Sequence, residues 1–540
     1  MILSHISKFV AQTIEREYGI TDVEPAISYP DPRFGDYATN VAFSLSGRLK
    51  KPPQEIAEHL AGMIKDEIIL SAKADRGFIN LRMQPLFWIE RLTEINKSFG
   101  ATHQGNGKKL QVEFISANPT GPLTLGNARG GYVGDVLARV LQHAEYDVTK
   151  EYYFNDAGTQ IRILVESVRA AAGLVPVEES HYPGAYIKEL AEKYRSDLDT
   201  KSYDELAAML TEDIFEHQVK PAIDQMGIIY NEWFNERQLI TSGEFDETIK
   251  LLQSHKLTYE KDGALWLASE QLGDERDRVL RKSNGDVTYL GTDIAYHHNI
   301  FIKRDFDEAI KIWGADHAGQ VPSLNLTMDK LTPGKKLNFL ILQWVRLMRG
   351  GKEVKMSKRA GTYVTVSDLL AEVDSDVARF FFLMRSADSH MDFDLDLAKE
   401  RSQKNPLYYV MYSYARAHSI LRQAQDRKLA PVSTVSELTD HELAVVRQMA
   451  MLPELIAEIV SNYQVHKLAF YGIETARAFH DLYESERIID LDKSVASKRL
   501  YLIQQYVVFM EVYFQLMGIT PISRMDREDE SRGSNGSKRT

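Results

Sequence analysis

The chain has 540 residues, with 65 Lys and Arg against 77 Asp and Glu and no cysteine, for a formal net charge of −12. Its length allows three or four domains of ordinary size. With 44% apolar and 26% charged residues it has the balance of a globular protein whose cores need no covalent staples. Zero cysteine excludes a disulfide framework, an iron–sulfur cluster, a zinc finger and a thiol nucleophile. The negative net charge argues against coating nucleic acid by bulk charge, while leaving room for a local basic surface. No apolar run approaches the roughly 20 residues of a membrane span.

Ile2, Leu3, Ile6, Phe9 and Val10 fall at helical spacing, with Glu15 and Glu17 close behind. That predicts an amphipathic helix rather than a secretion signal, and a cytoplasmic enzyme as the leading class. Residues 1–105 read as a small α/β module, in which helical patterns flank the turn-rich run Tyr29-Pro30-Asp31-Pro32-Arg33-Phe34-Gly35-Asp36-Tyr37. The polar, Gly-rich run 102–109 reads as a linker. Leu110, Val112 and Phe114 then alternate with Gln111 and Glu113, the pattern of a strand. It enters a loop dense in turn residues, Ser116-Ala117-Asn118-Pro119-Thr120-Gly121-Pro122. Val133, Val136, Leu137, Val140 and Leu141 follow at one helical face.

A second strand covers about 148–154 and breaks at Asn155-Asp156-Ala157-Gly158, after which Ile161, Leu164, Val165 and Val168 open another helix. This alternation predicts a Rossmann-like, doubly wound parallel sheet. We assign it to a catalytic domain at 106–373, with an acidic, largely helical insertion at about 175–280. Strand patterns resume near 287–290, 310–313 and 339–342. Residues 374–525 read as almost entirely helical. Residues 526–540 contain no apolar side chain and read as a disordered tail.

Two constellations carry chemistry. In the first, Gly121, Gly126, Gly130 and Gly131 surround a strand-to-helix junction, where backbone N–H groups and the helix N-terminus suit a phosphate. From the glycine spacing alone, a tight turn packed for fold reasons is an equal reading. The second is Lys355-Met356-Ser357-Lys358-Arg359, within a stretch 346–361 that holds six basic residues and one acid. Two lysines three apart suit a polyphosphate whose charge grows during reaction.

Taken in order, these motifs and Asn405-Pro406 before a Tyr-rich helix resemble arginyl-tRNA synthetase, a class I aminoacyl-tRNA synthetase, from the N-terminal module to about Met525. Glu151-Tyr152-Tyr153-Phe154-Asn155-Asp156-Ala157-Gly158, Tyr289-Leu290-Gly291-Thr292-Asp293, Gly314-Ala315-Asp316-His317 and Asp392-Phe393-Asp394-Leu395-Asp396 support the resemblance. It implies three parts: an N-terminal tRNA-contacting α/β module, a Rossmann-like catalytic domain and a C-terminal all-α anticodon-binding bundle. It implies activation of arginine with ATP and Mg²⁺, transfer to tRNA, and activation that depends on bound tRNA.

Residue by residue, the resemblance implies that Glu113, Tyr289 and Asp293 meet the arginine side chain. Asn118 would orient its α-amino and carboxylate end, and Asp316 or His317 would add a polar contact. A guanidinium asks for carboxylates that accept its N–H donors. Pro119, Gly121, Thr124, Gly126 and Asn127, with Lys355, Met356, Ser357 and Lys358, would bind ATP. Lys355 and Lys358 would stabilise the leaving pyrophosphate, with Thr124 and Asn127 assisting. Phe34 and Asn40 in the N-terminal module, and Tyr408, Tyr412 and Arg416 in the bundle, would contact tRNA. At least two of the tyrosines Tyr408, Tyr409, Tyr412 and Tyr414 are expected in the bundle core.

The chain departs from the class at one motif. The usual His-x-Gly-His is replaced by Thr124-Leu125-Gly126-Asn127, which keeps neutral hydrogen-bond donors and the glycine. The tryptophanyl-type enzymes look similar there. A non-activating tRNA-binding paralogue and a small-molecule nucleotidylyltransferase are the competing readings, and the second lacks a long helical bundle. A monomer is the default oligomeric state.

Overall fold

The structure, a computed structural model, describes residues 2–31, 33–156, 158–354, 364–432, 435–489 and 492–525. The first helix, Ile2–Tyr18, turns Ile2, Ile6, Val10 and Ile14 inward at four-residue spacing. It packs beside an antiparallel sheet built from β1 (Ile27–Ser28), β2 (Tyr37–Thr39), β3 (Ile69–Asp75) and β4 (Phe78–Met83), in the order β1-β2-β4-β3. The run 102–109 is fastened down rather than slack. Gly105 and Gly107 each donate at 2.8 Å to carbonyls at the end of the helix Leu125–His143.

The central strands are β5 (Lys109–Glu113), β6 (Asp147–Phe154) and β7 (Glu232–Asn235). A separate antiparallel sheet of β8 (Thr258–Lys261), β9 (Ala264–Leu267) and β10 (Arg278–Arg281) precedes the two remaining central strands, β11 (Glu308–Gly314) and β12 (Lys336–Leu342). The central sheet runs β12-β11-β5-β6-β7, with every pair parallel. The chain winds outward from β5 in both directions. A topological switch point therefore lies between β5 and β11, at whose carboxyl end such sheets bind ligands. The helix Leu125–His143 buries all five predicted apolar positions, Val133, Val136, Leu137, Val140 and Leu141.

Three expected elements differ. Residues 287–290 do not form a strand: Val287 makes one isolated bridge to Arg281, and Tyr289 and Leu290 open the helix Tyr289–His298, capped by the Thr288 hydroxyl. The segment 175–280 is helical only in part. It contains β7, a member of the central sheet, and the β8–β10 sheet. Four residues are too few for β7 to reveal a period of two, and the aromatic cluster of Tyr152, Phe215, Tyr230 and Trp233 is what holds it. Among the described residues beyond 374, a single strand, β15 (Met391–Asp394), pairs in parallel with β13 (Val345–Arg349), whose other neighbour is β14 (Lys352–Glu353).

Asp392, Asp394 and Asp396 serve this junction. Asp392 pairs with Arg346 at 2.7 Å, Asp394 caps the helix Leu395–Lys399, and Asp396 accepts the Gly350 N–H at 2.5 Å. The C-terminal bundle consists mainly of the helices Pro406–Asp426, Asp440–Ala450, Leu452–Asn462, His466–Ser485 and Lys493–Met517. It is clasped to the N-terminal module. Asp36 pairs with Arg447 at 2.7 Å, the Ile2 N–H donates to Glu454 at 2.7 Å, and Gln505 donates to the carbonyls of Leu92 and Ile95. Asp135 on the helix Leu125–His143 is fully buried, and meets Arg379 at 2.6 Å, Arg139 at 2.9 Å and Lys150 at 3.0 Å.

Candidate active site

The site begins where β5 ends. After Phe114 the chain turns through Ile115 and Ser116, whose φ values are +65° and +43°. A left-handed β-branched residue is strained, so this turn persists only because its surroundings hold it. The end of β6 does so. Tyr152 Oη donates to Ala117 O at 2.8 Å, the Tyr153 N–H donates to Ser116 Oγ at 3.1 Å, and the Asn155 N–H donates to Asn118 Oδ1 at 3.1 Å. The two motifs that looked separate in sequence, 116–122 and 151–158, are thus one stitched loop pair. Asn118 also donates to Gln160 at 2.9 Å.

The junction glycines divide into two kinds. A Cβ at Gly131 would lie 2.6 Å from Met226 Cε, and one at Gly134 only 2.2 Å from Phe114 Cγ. These two let the helix lie against β5. Gly126 is exposed, and its Cβ would meet nothing nearer than Thr124 Oγ1 at 3.8 Å. The open helix N-terminus at Gly126 is thus the part that can admit a phosphate.

Thr124 and Asn127 are occupied with each other. Asn127 Oδ1 accepts from both the Thr124 N–H and its hydroxyl at 2.9 Å, which closes a capping box. The Thr124 proton is therefore spent, and the Asn127 amide N–H₂ is the donor left for a ligand. Thr124 also bridges Thr365, and the Val366 N–H donates to Leu123 O at 2.8 Å. The motif Lys355, Met356, Ser357 and Lys358, expected to bind ATP, lies outside the described residues. Of its described flanks, Val354 is held on Leu347 and Thr365 on Thr124.

A second cluster fills the sheet beneath. Lys311 on β11 is wholly buried, and donates to Glu113 at 2.7 Å and to Gln111 at 2.8 Å. Gln111 donates to Glu151 and to Tyr296, each at 2.9 Å. Tyr296 bonds Glu151, and Arg304 pairs with Glu151 at 2.7 Å. Glu113, expected to meet the substrate, thus gives its carboxylate to Lys311 and is 4% exposed.

Two further carboxylates adjoin this pair. Glu236 follows β7 and is buried; it accepts from Tyr153 and from Asn155 Nδ2 at 2.9 Å. Burial lifts its pKa to about 7, with bonds from Tyr153 and Thr292 opposing and the Asp156 charge adding. Asp293, one turn into its helix, is pushed well above the usual carboxylate range by burial, Glu236 and Glu113, against the pull of Lys311. Tyr289 stands half-exposed beside Glu236 and Asp293, and its phenol is raised by burial and by those charges. Glu113 and Asp293 thus share one ammonium, Lys311, and Glu236 adjoins Asp293 with no cation among the described residues bonded to it. The pocket has an uncompensated demand for a cation. Glu236 was missed in the sequence because its region read as a helical insertion.

Asp316 and His317 are exposed on a 3₁₀ turn after β11, 3.6 Å apart. Pro119 is buried, and Gly121 packs against Tyr186. Among the residues expected to touch tRNA, Phe34 is half-exposed under Arg33, and Asn40 is exposed before the helix Val41–Leu49. Tyr412 is buried in the bundle core with Tyr414, so it has no ring face to offer a base. Tyr408 is partly buried. Arg416 stacks over Tyr483 at 4.5 Å.

A switch point of a parallel sheet with an open helix N-terminus is where open α/β folds bind nucleotides, and the catalytic domain here is of the class I tRNA synthetase kind. Residues 91–381 match the family model for the class I (R) tRNA synthetase catalytic domain, residues 2–83 the arginyl tRNA synthetase N-terminal domain, and residues 410–525 the DALR anticodon binding domain. The arginine–tRNA ligase of Aquifex aeolicus is 37% identical over 551 aligned positions, covering 91% of this chain and 94% of its own. That of Heliobacterium modesticaldum is 38% identical, covering 97% and 99%. The Thermus thermophilus arginyl-tRNA synthetase superposes with a TM-score of 0.77 at 20% identity, over 97% of this chain and all of its own, a likeness of fold. The chain belongs to the arginyl-tRNA synthetase family.

Proposed function

We propose that Glu236 and Asp293, with Tyr289 alongside, seat the guanidinium of arginine, and that the open helix N-terminus at Gly126 seats ATP. The reaction of the family is the ATP-dependent attachment of arginine to tRNA. The arginine carboxylate attacks the α-phosphorus of ATP, and the bond to pyrophosphate breaks. A ribose hydroxyl at the tRNA end then attacks the arginyl carbonyl, and AMP leaves. The first step needs no general base, because its nucleophile is already ionised.

The single observation that carries this reading is the excess of carboxylates over cations in a buried pocket. A guanidinium supplies the missing charge and a planar fork of donors. Glu113 acts from below, by neutralising Lys311 so that the ammonium does not repel the substrate. Asn118, bonded to Asn155 and Gln160, orients the α-amino and carboxylate end in this reading. Lys355 and Lys358 carry the pyrophosphate charge in this reading, supported by the anchorage of the neighbouring Thr365 on Thr124. Mg²⁺ accompanies ATP on phosphate oxygens and water. Among the described residues no group of three or more His, Asp or Glu is arranged to hold a metal ion. A monomer is the default working state in this reading, and ATP and tRNA as substrates support a cytoplasmic setting. No helix among the described residues is long and apolar enough to cross a membrane. Phe34, Asn40, Tyr408 and Arg416 are the proposed tRNA contacts.

Arginine-dependent ATP–pyrophosphate exchange with tRNA present tests the reading. Exchange in the wild type, with the arginine KM raised at least tenfold in Glu236→Gln and Asp293→Asn, supports it. No exchange by folded protein favours a non-activating tRNA-binding paralogue.

A further inference from the structure

Residues 178–186 join the helix Thr159–Ala171 to the helix Ala185–Lys193, and they lie against the loop that leaves β5. Two tyrosines of this strap make the contact. Tyr186 Oη donates to Thr120 O at 2.9 Å, and the Tyr182 phenol bonds the Thr120 side chain. The strap is pinned behind, where the Tyr182 N–H donates to Oγ of the buried Ser167 at 2.8 Å. Gly184, between the two rings, has a φ of +135°, and a Cβ there would lie 3.0 Å from the Tyr186 ring. A glycine at this point lets both rings turn onto one residue.

Thr120 passes the hold on. Its N–H donates to Asn118 O at 2.7 Å, and a Cβ on the adjoining Gly121 would sit 2.8 Å from Tyr186 Oη. The loop from Asn118 to Gly126 thus has its middle fixed by a segment 66 residues further along the chain. On the seating given above, Asn118 holds the carboxylate end of arginine and Gly126 the phosphates. Activation forms a bond from that carboxylate oxygen to the α-phosphorus of ATP, while the bond to pyrophosphate breaks. The reactants are therefore held at the two ends of one loop, and the rate depends on the span between them. We propose that Tyr182 and Tyr186 are positioning residues, which through Thr120 set that span and align the carboxylate with the α-phosphorus. This rests on the seating of arginine and ATP proposed above. The two phenols are spent on Thr120 rather than on a substrate, so they govern rate and leave affinity alone.

The test uses the full-length protein with tRNA present. Tyr182→Phe and Tyr186→Phe each remove one hydroxyl and keep the ring, so both should fold and melt within a few degrees of the wild type. In arginine-dependent ATP–pyrophosphate exchange the double variant should lose kcat about tenfold or more, with the KM for arginine and for ATP within about threefold of wild type. Gly121→Ala drives a methyl group against the Tyr186 phenol and should lose kcat in the same way. Combined with Tyr186→Phe it should lose no more than the worse single variant, because both act through one contact. A kcat per active site within about twofold of wild type in the double variant overturns the proposal. So does a change confined to the arginine KM, which would make the strap a wall of the pocket. A folded wild type without arginine-dependent exchange overturns the seating on which the proposal rests, whereas wild-type exchange beside an unaltered double variant overturns the strap alone.

Discussion

Lys311 and Glu113 meet at 2.7 Å in the middle of the central sheet, the lysine without solvent exposure. Each is tolerable there only because of the other. Removing one partner of such a pair costs about 3–5 kcal/mol, since a lone buried charge remains. Lys311→Met should lose stability in that range by urea denaturation. The double variant Lys311→Met/Glu113→Gln should regain a substantial part of it, and additive losses would show that the pair is not coupled. Glu113→Gln alone leaves an uncompensated ammonium below the cation pocket, and should raise the arginine KM at least tenfold.

Glu236 makes the pocket sensitive to pH. Its folded pKa is raised from 4.5 to about 7, so the native state favours the protonated acid. Native stability therefore falls as pH rises from about 4.5 to about 7, by about 3 kcal/mol in total. Glu236→Gln lifts that cost, so it should stabilise the ligand-free protein at pH 8 more than at pH 5. On the proposed seating arginine binds the ionised form, so the wild-type arginine KM should fall between pH 6 and pH 8. In Glu236→Gln that KM should be high and much less dependent on pH over this range.

How much of this was legible depended on the length of each pattern. The β5 strand, its loop and the following helix stood out because many residues repeat one period. Glu236 did not, since β7 has four residues and its support comes from distant aromatics. Lys311 was passed over inside an apolar run. A lone lysine between Ile310 and Ile312, in a strand buried on both faces, is nevertheless a sign that an acid waits opposite. The pairing itself, 198 residues apart, is tertiary information that no local pattern carries.

Asp135 has the opposite sign to Glu236. Arg379, Lys150 and Arg139 overcome its burial and hold the carboxyl down at about 2. Its contribution is complete above 3.8 and is lost as pH falls toward 2, roughly 2 kcal/mol of pH-dependent stability. Asp135→Asn should destabilise strongly at pH 7, and the gap to wild type should narrow below pH 3 in thermal melts.

The capping box predicts a divided effect. Thr124→Ala should cost about 1 kcal/mol of stability, and Thr124→Ser much less. Asn127→Ala should lose the same cap and, in addition, raise the ATP KM, because its amide is the donor left for a ligand. Equal ATP KM values in Thr124→Ala and Asn127→Ala would show that the amide does not touch the nucleotide.

The clasp between the two ends of the chain bears on chimeras. Asp36 reaches Arg447, the Ile2 N–H reaches Glu454, and Gln505 reaches Leu92 and Ile95, so the first hundred residues and the last hundred are cut to fit each other. A grafted bundle without an arginine at the place of Arg447 would leave Asp36 buried without its guanidinium. A chimera should therefore take both ends from one parent, and the catalytic domain between them must still supply Glu308 to Tyr463 and Arg139 to the Gln515 carbonyl.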